Sequence, residues 1–203
     1  MKIAVIGATG NAGSRIVDEA LRRGHEVTGV ARDATKLEPR ERLAARSADV
    51  ADTATIAPVL VGHDAVVSSI LFIHVPLQTI VDAVRMASVK RYLVVGGAGS
   101  LEVSPGKLNL HQPGFPEFAR AEATKGTEYL EWLHGIDDLD WTFLSPSAVF
   151  KAGERTSRFR LGGDTLLVGE DGKSWVSFED FAVAMLDEIE EPRHVRRRFT
   201  VGY

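Results

Sequence analysis

The first 32 residues, MKIAVIGATGNAGSRIVDEALRRGHEVTGVAR, place three glycines between an apolar run and a helical pattern. Residues 2–6 form a short apolar run that is typical of a buried parallel strand. From residue 11 to residue 23 the apolar residues recur at helical spacing, and Gly24 is a typical helix stop. A strand, a glycine turn and a helix in this order constrain the fold more than any other feature, because they begin a βαβ unit.

The same alternation continues along the chain. Further strands are predicted at 25–32, 43–50, 64–71, 90–95 and 138–147, and further helices at 51–62, 76–89 and 116–135. Asp33 is predicted to cap a short helical turn over 33–37. Pro58 predicts that the helix at 51–62 starts late, is short or is kinked. The pattern predicts an α/β fold, a Rossmann-like doubly wound parallel sheet with helices on both faces.

The pattern changes after residue 147. Two strand-like pieces with Gly-Gly-Asp and Glu-Asp-Gly turns precede a helical segment, FEDFAVAMLDEIE, and a final strand in RRRFTVGY. We interpret the chain as one NAD(P)-binding domain over 1–203, with a core at about 1–147 and a small C-terminal lobe at about 148–203. Residues 96–116 are rich in Gly, Pro and Ser and are predicted to form a long loop on the substrate side.

Composition excludes several classes of protein and site. The 203 residues include no cysteine, so a disulfide framework, a thiol nucleophile and a thiolate metal site are excluded. No apolar run of 18 residues occurs, and no signal peptide is visible at the start of the sequence. The net charge is −4, and the one basic cluster, at 193–198, is short. We therefore expect a cytoplasmic protein with a small-molecule partner, no nucleic acid and no membrane, as a monomer or a homodimer.

The glycine turn is predicted to bind a dinucleotide. Its glycines recur every third residue, which differs from the commoner G-x-G-x-x-G, and a tight strand-to-helix turn without a ligand is the alternative. We assign Gly7 to the sharp exit from the strand, Gly10 to close approach of a pyrophosphate and Gly13 to packing of the helix on the sheet. The helix amino terminus then faces the phosphates. The residues predicted to bind the cofactor here are Gly7, Thr9, Gly10, Asn11, Ala12 and Gly13.

The end of the second predicted strand decides between NADP and NAD. Arg32 has a planar fork suited to a 2′-phosphate, whereas Asp33 fits a helix cap, so the sequence favours NADP. If Asp33 instead accepted the ribose hydroxyl, the preference would reverse to NAD. The other predicted strands end at the same edge of the sheet, because parallel strands share a carboxyl edge. The cofactor-binding residues predicted there are Asp49, Val50, Ser68, Ser69, Ile70, Gly96, Gly97, Pro146 and Ser147.

Five segments carry a resemblance to a known group of proteins. They are GATGNAG (7–13), VARDATKL (30–37), VVGGAGSLEVSPG (94–106), LDWTFLSPSAVFKAGERT (139–156) and RFTVGY (198–203). Over essentially the whole chain, the sequence resembles the atypical short-chain dehydrogenase/reductases. Within them it is similar to the NADH-flavin reductase family, which is related to biliverdin reductase B and to NmrA-like proteins. The resemblance implies a Rossmann-like core, a nicotinamide cofactor and reduction of flavins or related acceptors.

The sequence departs from the wider superfamily at the catalytic pair. Typical members have a Tyr followed four residues later by a Lys, whereas here Lys125 precedes Tyr129. We interpret Tyr129 as a packing residue and Lys125 as a charge near the cofactor. Ser100, in GGAGS, and His111, in the following loop, are the other candidate catalytic residues, with a turn former and a surface histidine as their alternatives. The histidines have no metal-ligand spacing, so no metal is expected.

Hydride transfer to a flat ring does not require a catalytic pair. Such a ring needs only to stack on the nicotinamide and can take its proton from water. The pocket is predicted to be shaped by the loop after residue 95, by Ser145, Pro146 and Ser147, and by Phe150 and Phe159, although core packing is the more usual role for Phe150. The leading hypothesis is an NADPH-dependent oxidoreductase with a flavin-like substrate that is not a bound prosthetic group. A non-catalytic NADP-binding sensor and a sugar-nucleotide epimerase or dehydratase remain open.

Overall fold

The protein is described by a computed structural model that covers residues 1–76 and 78–203 in full and residue 77 through its backbone. The helices are α1 (Asn11–Arg22), α2 (Thr53–Leu60), α3 (Leu77–Met86), α4 (Glu117–Leu133) and α5 (Phe178–Glu190). The strands are β1 (Lys2–Ile6), β2 (Glu26–Ala31), β3 (Leu43–Ser47), β4 (Ala65–Ser68), β5 (Arg91–Val95), β6 (Glu102–Ser104), β7 (Lys107–Leu108), β8 (Asp140–Pro146), β9 (Val149–Lys151), β10 (Arg160–Gly162), β11 (Trp175–Ser177) and β12 (Arg197–Gly202).

Eight strands form one sheet in the order β10-β12-β8-β5-β4-β1-β2-β3. All neighbours pair in parallel except β10, which runs antiparallel to β12. The chain goes from β1 outward to β3 and then returns to place β4 on the other side of β1. The prediction of a Rossmann-like parallel sheet is confirmed, and the change of direction opens a crevice above β1 and β4, where such sheets bind ligands.

Apolar side chains cover both faces of this sheet. One core contains Ile56 of α2, Val81 of α3 and Leu130 of α4, packed with Phe143 of β8. The other contains residues of α1 and α5, such as Ile16 and Phe181. The alternation that produced the strand and helix predictions therefore places α2, α3 and α4 on one face, and α1 and α5 on the other.

The segment after β8 contributes to the main sheet as well as to smaller structures. Its helix α5 packs along α1, and β12 inserts between β8 and β10. A separate pair of strands, β9 and β11, lies beside this sheet. None of the helices in the described chain is long and apolar enough to span a membrane.

The long loop predicted over 96–116 is wrong in part, because it contains secondary structure. Strands β6 and β7 form a hairpin around Gly106, whose φ of 73° suits the turn, and residues 109–111 form a 3₁₀ turn. The Glu102 amide donates to the Asp164 carbonyl, and the Leu166 amide donates to the Glu102 carbonyl. These bonds fasten the segment to the C-terminal part of the chain.

Candidate cofactor and active site

The glycine turn lies between β1 and α1 at the carboxyl edge of the sheet. The amides of Gly7 and Ala8 both donate to the Val30 carbonyl, at 2.8 and 3.1 Å, which fixes the turn against β2. Gly7 has a φ of 81°, and a Cβ there would lie 2.1 Å from the Ser69 carbonyl oxygen. A Cβ at Gly13 would lie 2.1 Å from the Gly7 carbonyl oxygen. The packing of the protein itself therefore requires glycine at positions 7 and 13.

Gly10 has a different reason to be glycine. Its φ of −77° is accessible to any residue, and a Cβ would lie 3.2 Å from the Gly7 carbonyl oxygen and 4.0 Å from the Ser69 carbonyl oxygen. Gly10 is the N-cap of α1, and among the described residues no side chain caps the amides of that first turn. Thr9 and Asn11 are exposed beside it, whereas Ala12 is buried. These open amides and the positive end of the helix dipole suit a pyrophosphate, which a side chain at position 10 would obstruct.

The end of β2 presents Arg32 to solvent. The side chain of Asp33 accepts hydrogen bonds from the Thr35 amide at 3.1 Å and from the Thr35 hydroxyl, which confirms that it caps the 3₁₀ turn at Ala34–Lys36. Those hydrogen bonds hold the pKa of Asp33 below its ordinary value. Arg32 forms no ion pair with any residue that the structure describes. An arginine in this position is available to an anionic ligand.

Of the residues predicted to bind the cofactor after β3 and β4, some lie at the edge of the sheet and one lies in the core. The Asp49 carboxylate accepts from the Ala51 amide at 3.0 Å, and Val50 packs partly into the core. Ser69 and Ile70 pack directly against Gly7 at the edge of the sheet. Ser68, the last residue of β4, is 4% exposed, and its hydroxyl hydrogen-bonds to the Tyr92 hydroxyl at 2.9 Å. The structure gives the Ser68 hydroxyl a core role instead of a place in the crevice.

At the end of β5 the two predicted glycines differ in their surroundings. A Cβ at Gly96 would lie 2.1 Å from the Phe143 ring, so internal packing requires glycine there. A Cβ at Gly97 would meet no atom within 4 Å, so this residue borders open space. Ser100 is 6% exposed, and its hydroxyl accepts from the Arg198 guanidinium at 3.0 Å. That hydrogen bond anchors the loop. His111 is exposed in the 3₁₀ turn.

The end of β8 presents mainly backbone. Ser147 is fully buried, and its hydroxyl donates to the Val201 carbonyl at 3.0 Å, whereas the fully buried Ser145 hydroxyl has no partner among the described residues. Phe150 packs against Phe178 and Phe181, and Phe159 packs against the same core. The expectation that Phe150 and Phe159 shape the pocket is therefore corrected, because both rings are used in packing on the α1 and α5 side.

Four side chains of α4 form one stripe along the helix. Phe118, Glu122, Lys125 and Tyr129 are spaced by four, three and four residues, which places them on one face of the helix. At the end of the stripe nearest the carboxyl terminus of α4, the Tyr129 hydroxyl hydrogen-bonds to the Tyr92 hydroxyl at 2.8 Å. Burial raises the pKa of Tyr129 well above its ordinary value and that of Tyr92 to about 12. Tyr129 is thus the packing residue that the sequence predicted, and its hydroxyl stays protonated.

Higher on the same stripe, Lys125 is exposed and pairs with Glu128 at 2.7 Å. Glu122, which sequence reasoning missed, accepts from the amides of Phe72 at 2.9 Å and Ile73 at 3.1 Å. It ties the loop after β4 to α4, and Phe72 packs on Gly126. The sequence gives no local signal for this role of Glu122, because the amides that it binds lie about 50 residues earlier in the chain.

A family model described as NAD(P)H-binding matches residues 7–192, from the first glycine of the turn to two residues beyond α5. The chain belongs to this NAD(P)H-binding family. A curated relative from Bacillus subtilis, "uncharacterized protein YwnB", is 39% identical over 99% of this chain and 98% of its own length. The resemblance deduced from the five segments is therefore confirmed at the level of the family.

Two solved structures have the fold of this NAD(P)H-binding protein. One, named "putative epimerase" and from Bacteroides thetaiotaomicron, is 41% identical, with a TM-score of 0.94 over 100% of this chain and 96% of that one. The other, named "a putative NADH-flavin reductase" and from Streptococcus pneumoniae, is 33% identical, with a TM-score of 0.86 over 100% of this chain and 99% of that one. The fold therefore belongs to an oxidoreductase family that binds NAD(P)H.

Proposed function

We propose that this protein is an NADPH-dependent reductase that transfers hydride to a planar small molecule such as a flavin, a quinone or a tetrapyrrole. The observation that carries the proposal is the pairing of two anion sites at neighbouring strand ends. The uncapped first turn of α1 suits the pyrophosphate, and the unpaired Arg32 suits the 2′-phosphate of NADPH. The relative named for NADH-flavin reduction supports the class of acceptor.

The residues of the chain bind and orient the reactants in this proposal. Bound NADPH would supply the hydride. In this proposal the backbone at Pro146 and Ser147 holds the carboxamide of the nicotinamide. The open space beside Gly97 leaves room for a second ring. A flavin or quinone takes its proton from water, so the buried hydroxyls of Ser68, Tyr92 and Tyr129 have no step to perform. Orientation of the two rings is then the main source of the rate.

The direct test measures NADPH oxidation with FMN, FAD and a quinone as separate acceptors. The proposal expects turnover with at least one of them, with the acceptor in the role of a substrate that dissociates. Tight NADPH binding with no acceptor-dependent oxidation would instead establish the second candidate, an NADP-binding sensor. The observation that favours this second candidate is the burial of Tyr129. It is the one tyrosine of α4 and is held in the core against Tyr92, so α4 offers no tyrosine acid to the crevice.

Arg32→Ala is expected to weaken NADPH binding by about 10- to 100-fold and NADH binding by less than about threefold. The reason is that charge-assisted hydrogen bonds to a phosphate contribute roughly 1.5–3 kcal/mol, and only NADPH carries the 2′-phosphate. Equilibrium binding of both cofactors measures the difference. Arg197→Ala is the matched control, because Arg197 is exposed at the amino end of β12 on the opposite edge of the sheet. Equal losses for both cofactors would refute the 2′-phosphate role of Arg32.

Tyr129→Phe is expected to change the rate of acceptor reduction by less than about threefold. The hydroxyl is buried against Tyr92 and keeps its proton, so it has no role in hydride transfer to a flat ring. The lost hydrogen bond should lower the free energy of unfolding by about 1 kcal/mol, measured by urea denaturation. A general acid contributes about 10²- to 10⁴-fold to a rate. A loss of that size at full cofactor binding would favour acid–base chemistry of the epimerase or dehydratase kind.

A further inference from the structure

The loop after β4, residues 69–76, begins in the crevice above β1 and β4 and then contacts α4. The Ser69 amide donates to the Ile6 carbonyl at 2.8 Å, which continues the pairing of β4 with β1. A Cβ at Gly7 would lie 2.1 Å from the Ser69 carbonyl oxygen and 3.2 Å from the side chain of Ile70. The first two residues of the loop therefore lie directly against the glycine turn.

The loop continues into a 3₁₀ turn at Phe72–His74, whose first amides need an acceptor from elsewhere in the chain. Amides at the start of a helical turn have no acceptor within the turn, and the apolar side chain of Leu71, the N-cap, cannot supply one. Glu122 of α4 supplies it. One carboxylate oxygen accepts from the Phe72 amide at 2.9 Å, and the other accepts from the Ile73 amide at 3.1 Å. Two charge-assisted hydrogen bonds from one side chain thus fix the turn against α4.

These two hydrogen bonds set the orientation of a loop whose surface is largely open. Leu71 and Ile73 are about half exposed, and His74 is exposed. The Phe72 ring anchors the loop at one point, with its centroid 5.2 Å from that of the Tyr129 ring. An apolar contact of this kind is not directional, whereas a hydrogen bond is. The direction in which the backbone crosses from the glycine turn to α4 therefore depends on the Glu122 carboxylate.

The nicotinamide half of the proposed cofactor has to cross this loop. The pyrophosphate is proposed to lie at the start of α1, beside β1, and the nicotinamide at Pro146 and Ser147, at the end of β8. In the sheet β4 and β5 lie between β1 and β8, so the nicotinamide half passes over the carboxyl ends of β4 and β5. The adenosine half lies on the other side of β1, toward Arg32 at the end of β2.

We propose that Glu122 is a positioning residue, which holds the loop after β4 as the surface on which the nicotinamide half of NADPH lies. This inference rests on the proposed function and deepens its cofactor site. Without the two hydrogen bonds the loop samples several orientations, and only the fraction of molecules with the correct one binds the nicotinamide half at full strength. The adenosine half is independent of Glu122, because the Val30 carbonyl holds the glycine turn.

The test compares two ligands by calorimetric titration of Glu122→Gln in the full chain. NADP⁺ contains both halves of the cofactor, whereas adenosine 2′,5′-bisphosphate contains the adenosine half with the 2′-phosphate and lacks the nicotinamide. Glutamine keeps the size of the side chain but turns an NH₂ group toward one of the two backbone amides, so one hydrogen bond is lost. We expect the Kd of NADP⁺ to rise about fivefold and that of adenosine 2′,5′-bisphosphate to change by less than about twofold. Glu122→Ala removes both hydrogen bonds and should raise the Kd of NADP⁺ about tenfold.

Glu117→Gln is the matched control. It makes the same change of charge on α4, but the Glu117 carboxylate pairs with the Arg120 guanidinium at the surface, at 2.7 Å, so both Kd values should stay unchanged. Equal losses for the two ligands in the Glu122 variants would mean general damage to the fold and would overturn the proposal. An unchanged Kd of NADP⁺ in both variants, or no NADP⁺ binding by the unmodified chain, would also overturn it.

Amide hydrogen exchange reads the loop directly. The amides of Phe72 and Ile73 should exchange faster in Glu122→Gln, and saturation with NADP⁺, but not with adenosine 2′,5′-bisphosphate, should slow them again. Exchange that is the same in Glu122→Gln and in the unmodified chain would overturn the proposal. Neither measurement contains a hydride acceptor. A protein that shows these changes but oxidises no NADPH would refute the reductase proposal alone and leave the role of Glu122 supported.

Discussion

Gly10→Ala is expected to weaken NADPH binding by at least about tenfold while the free energy of unfolding changes by less than about 1 kcal/mol. The backbone at Gly10 accepts alanine, because its φ is −77° and the new Cβ meets one carbonyl oxygen at 3.2 Å. The methyl group instead occupies the space that a pyrophosphate needs at the start of α1. Fluorescence titration with NADPH and thermal unfolding measure the two effects.

Gly7→Ala provides the contrasting variant. A Cβ at this position meets the Ser69 carbonyl oxygen at 2.1 Å in a backbone with a φ of 81°. We expect several kcal/mol of destabilisation, because both β4 and the turn must move. Gly62→Ala controls for the positive φ alone, since a Cβ there meets no atom within 4 Å. If Gly10→Ala bound NADPH as tightly as the unmodified chain, the turn would not be the pyrophosphate site.

Glu188→Gln is expected to lower the free energy of unfolding by about 3–5 kcal/mol, the usual result of breaking a buried ion pair. Glu188 is 3% exposed, and one carboxylate oxygen accepts from the Arg91 guanidinium at 2.8 Å and from the amides of Arg193 and His194. Burial lowers the pKa of Arg91, and Glu188 opposes that shift. An amide in place of this carboxylate leaves the buried Arg91 guanidinium without its hydrogen-bonded counter-charge.

Urea denaturation measures this loss, and Arg85→Ala is the control. Arg85 also pairs with an acid, Asp138, at 2.8 Å, but both side chains are more than one third exposed. Exposed pairs of this kind contribute about 0–1 kcal/mol. Similar small losses in both variants would mean that the Glu188 and Arg91 pair contributes no more than a surface pair. The proposed cofactor site lies at the other edge of the sheet, so NADPH binding by folded Glu188→Gln should stay unchanged.

Much of the fold could be predicted because the determining signals are local. Apolar periodicity gave the strands and helices of the βαβ units, and glycine spacing gave the turn between β1 and α1. Asp33 was recognised as a cap from its position alone, and the structure confirms it. Pro58 correctly indicated a short helix, since α2 has eight residues. The hairpin of β6 and β7 also has a local signal, because Pro105 and Gly106 are typical turn residues, but their composition alone predicts only a loop.

The roles of the site residues were harder to predict because they depend on partners far along the chain. The hydroxyls of Ser68, Ser100 and Ser147 are held by Tyr92, Arg198 and the Val201 carbonyl, which are 24, 98 and 54 residues away. A serine at a strand end looks the same in the sequence whether it faces a ligand or the core. Which of these hydroxyls are free to bind a ligand depends on the assembled sheet, in which β12 lies beside β8.

The two outer strands of the main sheet also affect how the protein behaves at high concentration and during refolding. Outer strands can recruit a strand from another molecule and so start aggregation. Here β10 has three residues, and β3 has five with Arg46 among them. The Arg160 guanidinium of β10 donates to the Val168 carbonyl. This hydrogen bond holds a charged side chain and the segment around residue 168 beside the edge strand β10. Short, arginine-bearing edge strands give an incoming strand little to pair with, so edge-to-edge pairing of sheets from different molecules is disfavoured.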